Sequence, residues 1–311
     1  MMSQPISEEI KNKNSRNQIV YWDRKQGQAK TEKVYGGSAL RFLYQTKLGH
    51  LLTRQVFSKH LYSKLQGSFY SSSFSRSLIE PFIEKFQIDM EEFEDEDYES
   101  FNDFFIRKFK PEKRLFPKLP GQLGSPAEGR VLAYESIQKD QTFPVKGQFL
   151  TPEAILGNET TAKPFMGGPC LVARLCPVDY HRFHYPDAGK IHQFYRIPGP
   201  LFSVNPVAFS MREDIFCLNE RQVSLLETEN FGIMAFVEIG ATGVGKIVQS
   251  HDYDELFHRG EEKGYFLFGG SSVIIFGEPG AFKFDHDLIE KTQAGMETLV
   301  RLGETIGSKS M

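Results

Sequence analysis

The sequence predicts an α+β protein in which an N-terminal region of amphipathic helices precedes a mostly antiparallel β-sandwich or barrel. Three observations carry that reading. Leu40, Leu43, Tyr44, Leu48, Leu51 and Leu52 recur at three- and four-residue spacing, the period of a helix with one apolar face. Beyond residue 98, short apolar runs at 170–175, 223–226, 233–239 and 273–276 are separated by Gly, Pro, Asn and Asp, the punctuation of strands and turns. Strands and helices do not alternate, which argues against a doubly wound parallel sheet.

Residues 1–36 are polar, with a short hairpin expected in "QIVYWDRKQGQAKTEKVY". Helices are expected from 38 to about 86, with further stretches at 56–65 and 77–86. Between 34 and 79 there is no Asp or Glu, whereas Arg41, Lys47, Arg54, Lys59, Lys64 and Arg76 are present. Apolar faces flanked by positive charge suit an anionic membrane surface, and equally a helical subdomain whose lysines are merely solvated. The acidic "DMEEFEDEDYES" closes this region near 97, and residues 98–311 form the main domain. A weak helical pattern returns at 288–302.

The 311 residues can bury a sizeable core, and 40% hydrophobic with 25% charged residues is a globular composition. A net charge of −3 gives no reason to expect nucleic acid. The opening "MMSQPISEEIKNKN" has no apolar core of a signal peptide, and no apolar run reaches the roughly 20 residues of a membrane span. Cys170, Cys176 and Cys217 lack metal-ligand spacing and read as small core residues in a reducing compartment. The expected location is cytoplasmic.

Three polar clusters interrupt apolar surroundings. "GSPAEGRV" carries Glu128, "CPVDYHRFHYP" carries Asp179, His181, Arg182 and His184, and "GYFLFGGSSVIIF" carries Ser271 and Ser272 between two strand-like runs. A carboxylate, an imidazole and a hydroxyl are the parts of a nucleophile, base and orienting group. Each also has an ordinary structural reading. Glu128 follows Pro126 as a turn residue would, and Gly-Gly-Ser-Ser is common hairpin chemistry. His181 and His184 would share one face of a helix and could ligate a metal, but Pro177 and Pro186 oppose a long helix and no third ligand is apparent.

Taken together, "YESFNDFFIRKFKP", "SPAEGRV", "CPVDYHRFHYPDAGKI", "PGPLFSVNP", "FGIMAFVEIGATGVGKI" and "GYFLFGGSSVIIF" make the chain resemble the pyruvoyl-dependent phosphatidylserine decarboxylase proenzymes of bacteria and organelles. The resemblance implies self-cleavage between Gly270 and Ser271 into a β chain, 1–270, and an α chain, 271–311. Ser271 then becomes a covalent pyruvoyl group, the cofactor. It implies His184 as the base for cleavage, oriented by Glu128, and His181 as the group that returns a proton after carbon dioxide is lost. Lys146, Phe202 and Ser203 are implied at the substrate pocket. The implied reaction proceeds through a Schiff base with phosphatidylserine and yields phosphatidylethanolamine. The implied partners are an anionic membrane, met peripherally at its cytoplasmic face, the enzyme's own two chains, and further copies. Glu128 stands where the family usually has Asp, and Ser272 where it usually has Thr. A serine hydrolase using Ser271, His184 and Glu128 on a lipid ester is the alternative activity, although no Gly-x-Ser-x-Gly elbow surrounds Ser271. A lipid-binding relative that no longer self-processes is the other.

Overall fold

The computed structural model describes residues 19–137, 142–143, 148–210, 214–243, 246–252 and 255–310. In chain order the strands are β1 (Val20–Asp23), β2 (Gln28–Thr31), β3 (Gln122–Gly124), β4 (Gly129–Tyr134), β5 (Thr142–Phe143), β6 (Gln148–Phe149), β7 (Cys170–Leu175), β8 (Arg182–His184) and β9 (Gly189–Ile197). They continue as β10 (Arg221–Thr228), β11 (Gly232–Gly240), β12 (Ile247–Gln249), β13 (Leu256–Phe257), β14 (Glu262–Phe266), β15 (Ser271–Gly277), β16 (Phe282–Phe284), β17 (Glu297–Val300) and β18 (Thr305–Lys309).

Ten of them form one sheet in the order β13-β9-β10-β11-β15-β7-β4-β17-β1-β2. Its neighbours are antiparallel except for β1 beside β17. β12-β14-β8 and β16-β18-β3 form two smaller sheets. The fold is therefore α+β and dominated by sheet, but the large sheet ends at β13 and β2 rather than closing, which corrects the barrel alternative.

β15 occupies the middle of the large sheet, between β11 and β7. Its apolar run is continuous because both of its faces are buried. Val273 and Ile275 join a core with Phe183 of β8, Phe266 of β14 and Phe284 of β16, so the small sheets cover that face. Ile274 and Phe276 point the other way, into a core with Ile155, Phe165 and Phe216 from short helices.

The expected hairpin near the N-terminus is β1–β2, and its first strand extends the main sheet through β17. Helices occupy Gly37–Gln45, Lys47–Leu52, His60–Tyr70 and Ile79–Phe86, with a π turn at Thr53–Phe57. Thr46 caps the second of them by accepting from Gly49 N–H at 3.0 Å. The pattern at 288–302 divides into a helix, His286–Gln293, and strand β17, with Gly295 at positive φ between them. Gly-Gly-Ser-Ser is no hairpin turn: β14 before it pairs with β12 and β8, whereas β15 pairs in the large sheet. Among the described residues no helix is long and apolar enough to cross a membrane.

Candidate active site

Ser271 begins β15, opposite Leu175 of β7 and Gly240 of β11. Both Ser271 and Ser272 are fully buried. The chain reaches Ser271 through Gly269, whose φ of 147° disfavours a side chain. Gly270 passes close to Val204, whose Cγ2 would lie 3.4 Å from an added Cβ.

His181 faces the serine. Its Nδ1 lies 3.2 Å from Ser271 Oγ, and its Nε2 lies 2.9 Å from the Cys176 carbonyl oxygen. A carbonyl can only accept, so Nε2 carries the proton and Nδ1 presents a lone pair to the serine hydroxyl. Burial, reinforced by the positive charge of Arg107, pushes the His181 pKa down to about 3, although the Cys176 carbonyl opposes this. The imidazole is therefore neutral at pH 7 and able to accept a proton.

The carbonyl that fixes this tautomer is itself held. β7 ends at Leu175, and the following turn closes with Asp179 N–H donating to Cys176 O at 2.8 Å. The Asp179 carboxylate accepts from Cys176 N–H at 2.6 Å and is gripped by Arg130. Next to it, Arg174 bridges Glu32 at 2.7 Å and Glu297 at 2.5 Å. Burial opposes ionisation of Glu32, but Arg174 and Arg130 outweigh it and bring its pKa down to about 2. This carboxylate, from the segment after β2, ties the N-terminal hairpin to the turn beneath the histidine.

The set implied by the resemblance does not assemble as expected. It is His181, rather than His184, that meets Ser271. His184 Nδ1 lies 2.9 Å from the Gly260 carbonyl and its Nε2 lies 3.3 Å from the Tyr180 hydroxyl. Three residues along an extended segment place the two rings apart, as the strand reading of "HRFH" requires. Glu128 orients neither ring. Both of its oxygens accept from Arg114, at 2.6 and 3.1 Å, and Oε2 also accepts from Leu302 N–H at 3.1 Å.

A cavity of about 220 Å³ adjoins Gly269 and Gly270. Tyr35, Leu40, Leu43, Tyr44, Phe57 and Tyr62 line it on the side of the N-terminal helices, with Ser203 and Val204 opposite. Ser203, one of the residues implied at the substrate pocket, lines this cavity. Phe202 is buried, and its backbone N–H and C=O are both engaged by Asn219. Lys146 lies outside the described residues. Of the twelve exposed large hydrophobic side chains among the described residues, nine belong to residues 42–78, including Leu61 and Phe74.

Sequence reasoning passed over Asn102, Phe105 and Arg107, which all approach the site from "FNDFFIRK". The word itself was the signal, because a buried Asn and Arg among three phenylalanines need a polar purpose.

The phosphatidylserine decarboxylase family matches residues 101–308. The chain is 42% identical to a phosphatidylserine decarboxylase proenzyme of Ruminiclostridium cellulolyticum over 93% of its own length and 97% of that protein. It is 39% identical to the proenzyme of Clostridium perfringens, over 94% and 100% of the two chains, and 40% identical to that of Desulfitobacterium hafniense, over 93% and 98%. With a serine, a tautomer-fixed histidine and a glycine pair meeting inside the matched segment, the chain belongs to the phosphatidylserine decarboxylase family.

Proposed function

We propose that this protein is a proenzyme that cuts itself between Gly270 and Ser271 and then, as a carboxy-lyase, converts phosphatidylserine to phosphatidylethanolamine. The single observation that carries the reading is the 3.2 Å approach of Ser271 Oγ to a histidine nitrogen whose lone pair is free to receive its proton.

Serine hydroxyl is a weak nucleophile until a base takes its proton. His181 Nδ1 accepts that proton as Oγ adds to the Gly270 carbonyl carbon. The C–N bond breaks when the nitrogen of residue 271 takes the proton up, leaving an ester between Gly270 and Oγ. Loss of the residue-271 α-proton then expels the Gly270 carboxylate. Water replaces the nitrogen, which leaves as ammonia, and residue 271 ends as pyruvoyl.

The surroundings fit such a group: residue 271 is enclosed, a neutral imidazole faces it, and a cavity is lined in part by Gly269 and Gly270 just before it. Once formed, the carbonyl supplies an electron sink for the pair left behind when the substrate loses carbon dioxide. His181 is the described side chain already directed at this position, so it also returns the proton to the substrate carbon. The division of labour implied by the resemblance gives the first of these tasks to His184. Its ring nitrogens are engaged elsewhere, which favours His181 for both.

A substrate with acyl chains in a bilayer requires the enzyme to work at the interface. The exposed apolar side chains of residues 42–78, with six basic residues and no acidic ones between 34 and 79, form the docking surface for an anionic membrane. The cavity beside Gly270 opens among the same helices and admits the serine headgroup.

Mass spectrometry of the purified chain tests the reading. It should find two fragments, 1–270 and 271–311, the second with a carbonyl in place of its N-terminal amine. Full decarboxylase activity from uniformly intact chains would overturn it. An intact serine hydrolase would instead cleave esters without releasing carbon dioxide.

A further inference from the structure

We propose that the short helix Phe101–Phe105 and the Arg107 that follows it act as a positioning element for self-cleavage, with Asn102 holding the segment that is cut. This rests on the self-cleavage reading above and adds residues that align its reacting groups.

The helix is locally well defined. Ser100 Oγ accepts from Asp103 N–H at 3.2 Å and donates to the Asp103 carboxylate at 2.9 Å, closing the first turn. From this base three side chains reach the site. Asn102 is buried, and its Oδ1 accepts from the backbone N–H of Phe268 at 2.8 Å. Phe268 lies two residues beyond the end of β14 and two before Gly270, at the start of the segment that is cut. Asn102 Nδ2 donates the other way, to Ser71 Oγ at 2.8 Å and Gly67 O at 3.4 Å, at the end of helix His60–Tyr70.

The remaining two side chains serve the base. The Phe105 ring stacks on His181 with centroids 4.0 Å apart. Arg107 donates to Val178 O at 3.1 Å and Asp179 O at 3.4 Å, the carbonyls just upstream of His181. Its guanidinium lies over Phe93 and Phe104. Hydroxyl attack on a neighbouring carbonyl requires alignment to a fraction of an ångström. Gly269 and Gly270 give that segment freedom, while Ser271 onward is fixed by the sheet. Asn102 supplies a side-chain restraint on the upstream side, while Phe105 and Arg107 fix the imidazole.

The test follows self-cleavage of full-length chain made by cell-free translation, with each rate normalised to the folded fraction. Asn102→Ala should cleave about tenfold or more slowly. Phe82→Leu, in the same aromatic cluster but touching neither Phe268 N–H nor His181, should lower the Tm comparably and leave the rate per folded molecule within about twofold. Ser71→Ala, at an exposed position that cannot prevent folding, loosens Asn102 and should slow cleavage about threefold. Asn102→Ala at the wild-type rate, equal slowing by Phe82→Leu, or no effect of Ser71→Ala overturns the proposal. A wild-type chain that never cuts at Gly270 would instead overturn the self-cleavage reading on which it rests.

Discussion

At the scale of single residues, the contact between His181 and Ser271 decides what each substitution should do. Removing the imidazole by His181→Ala takes away the only described base at the serine, so cleavage should fall by about 10²-fold or more. His184→Ala removes a ring bound to Gly260 and Tyr180 and should leave a two-band gel pattern. The opposite result would restore the order of roles implied by the resemblance. The low pKa of His181 has two consequences of definite sign. Cleavage should show no inflection near pH 6.5, because the folded-state imidazole stays neutral until the pH approaches its value of about 3. Stability behaves differently. Below about 6.5 the unfolded chain takes up a proton that the folded chain refuses, so this residue weakens the fold progressively as pH falls from 6.5 toward 3. In a Ser271→Ala background, held uncut, adding His181→Gln should make the melting temperature less steep over that window; equal slopes would show that the burial of His181 does not control it.

Glu128 belongs to the same scale. The shorter Asp expected at this position would be expected to help only if the carboxylate oriented a histidine. Here it forms a two-pronged pair with Arg114, which also binds Glu92. Glu128→Asp should therefore leave the cleavage rate within about twofold, and cost about 1 kcal/mol of stability through a weakened Arg114 pair. Parallel cleavage time courses and denaturant melts measure both, and faster maturation would return Glu128 to the reacting set.

At the scale of elements, periodicity was a sound guide wherever one face of a segment is buried. The apolar spacing from Leu40 onward gave helices, and "VIIF" gave a strand buried on both sides. It failed where pairing decides the structure. Gly-Gly-Ser-Ser has the composition of a hairpin turn, yet its flanking strands belong to different sheets, a long-range choice that no local pattern encodes. The pattern at 288–302 failed for the related reason that Gly295 lets a helix and a strand share one apolar stretch. The site was legible as a set of words but not as a set of contacts. Two histidines three residues apart carry the same chemistry on paper, and only the strand conformation at Arg182–His184 turns their rings to different neighbours. The grip of Asn102 on Phe268 spans 166 positions and had no local signature beyond a polar residue among phenylalanines.

At the scale of the whole molecule, a cut after Gly270 falls at the start of a central strand rather than in a loop at the edge. Ser271–Gly277 is paired along its length with β11 and β7, and the residues after it supply β16, β17, β18 and the helix His286–Gln293. Their side chains lie in the cores on both faces of the sheet. The two chains should remain one particle after cleavage, migrating together in gel filtration and separating only in denaturant. The other whole-molecule consequence concerns the distribution of exposed apolar side chains, which gather on the same N-terminal helical region that lines one side of the cavity. Leu61 is 68% and Phe74 84% exposed, an arrangement that water penalises and a bilayer rewards. Each should contribute about 1.5–3 kcal/mol on entering hydrocarbon, so Leu61→Asp with Phe74→Asp should reduce co-sedimentation with anionic vesicles by about 10²-fold or more. Self-cleavage, which needs no bilayer contact from either side chain, should proceed as in the wild type. Raising the salt should weaken vesicle binding further, because the six basic residues between 34 and 79 act through screened charge. Undiminished vesicle binding by the double variant would move the docking surface away from these helices, and the entry route for the lipid headgroup with it.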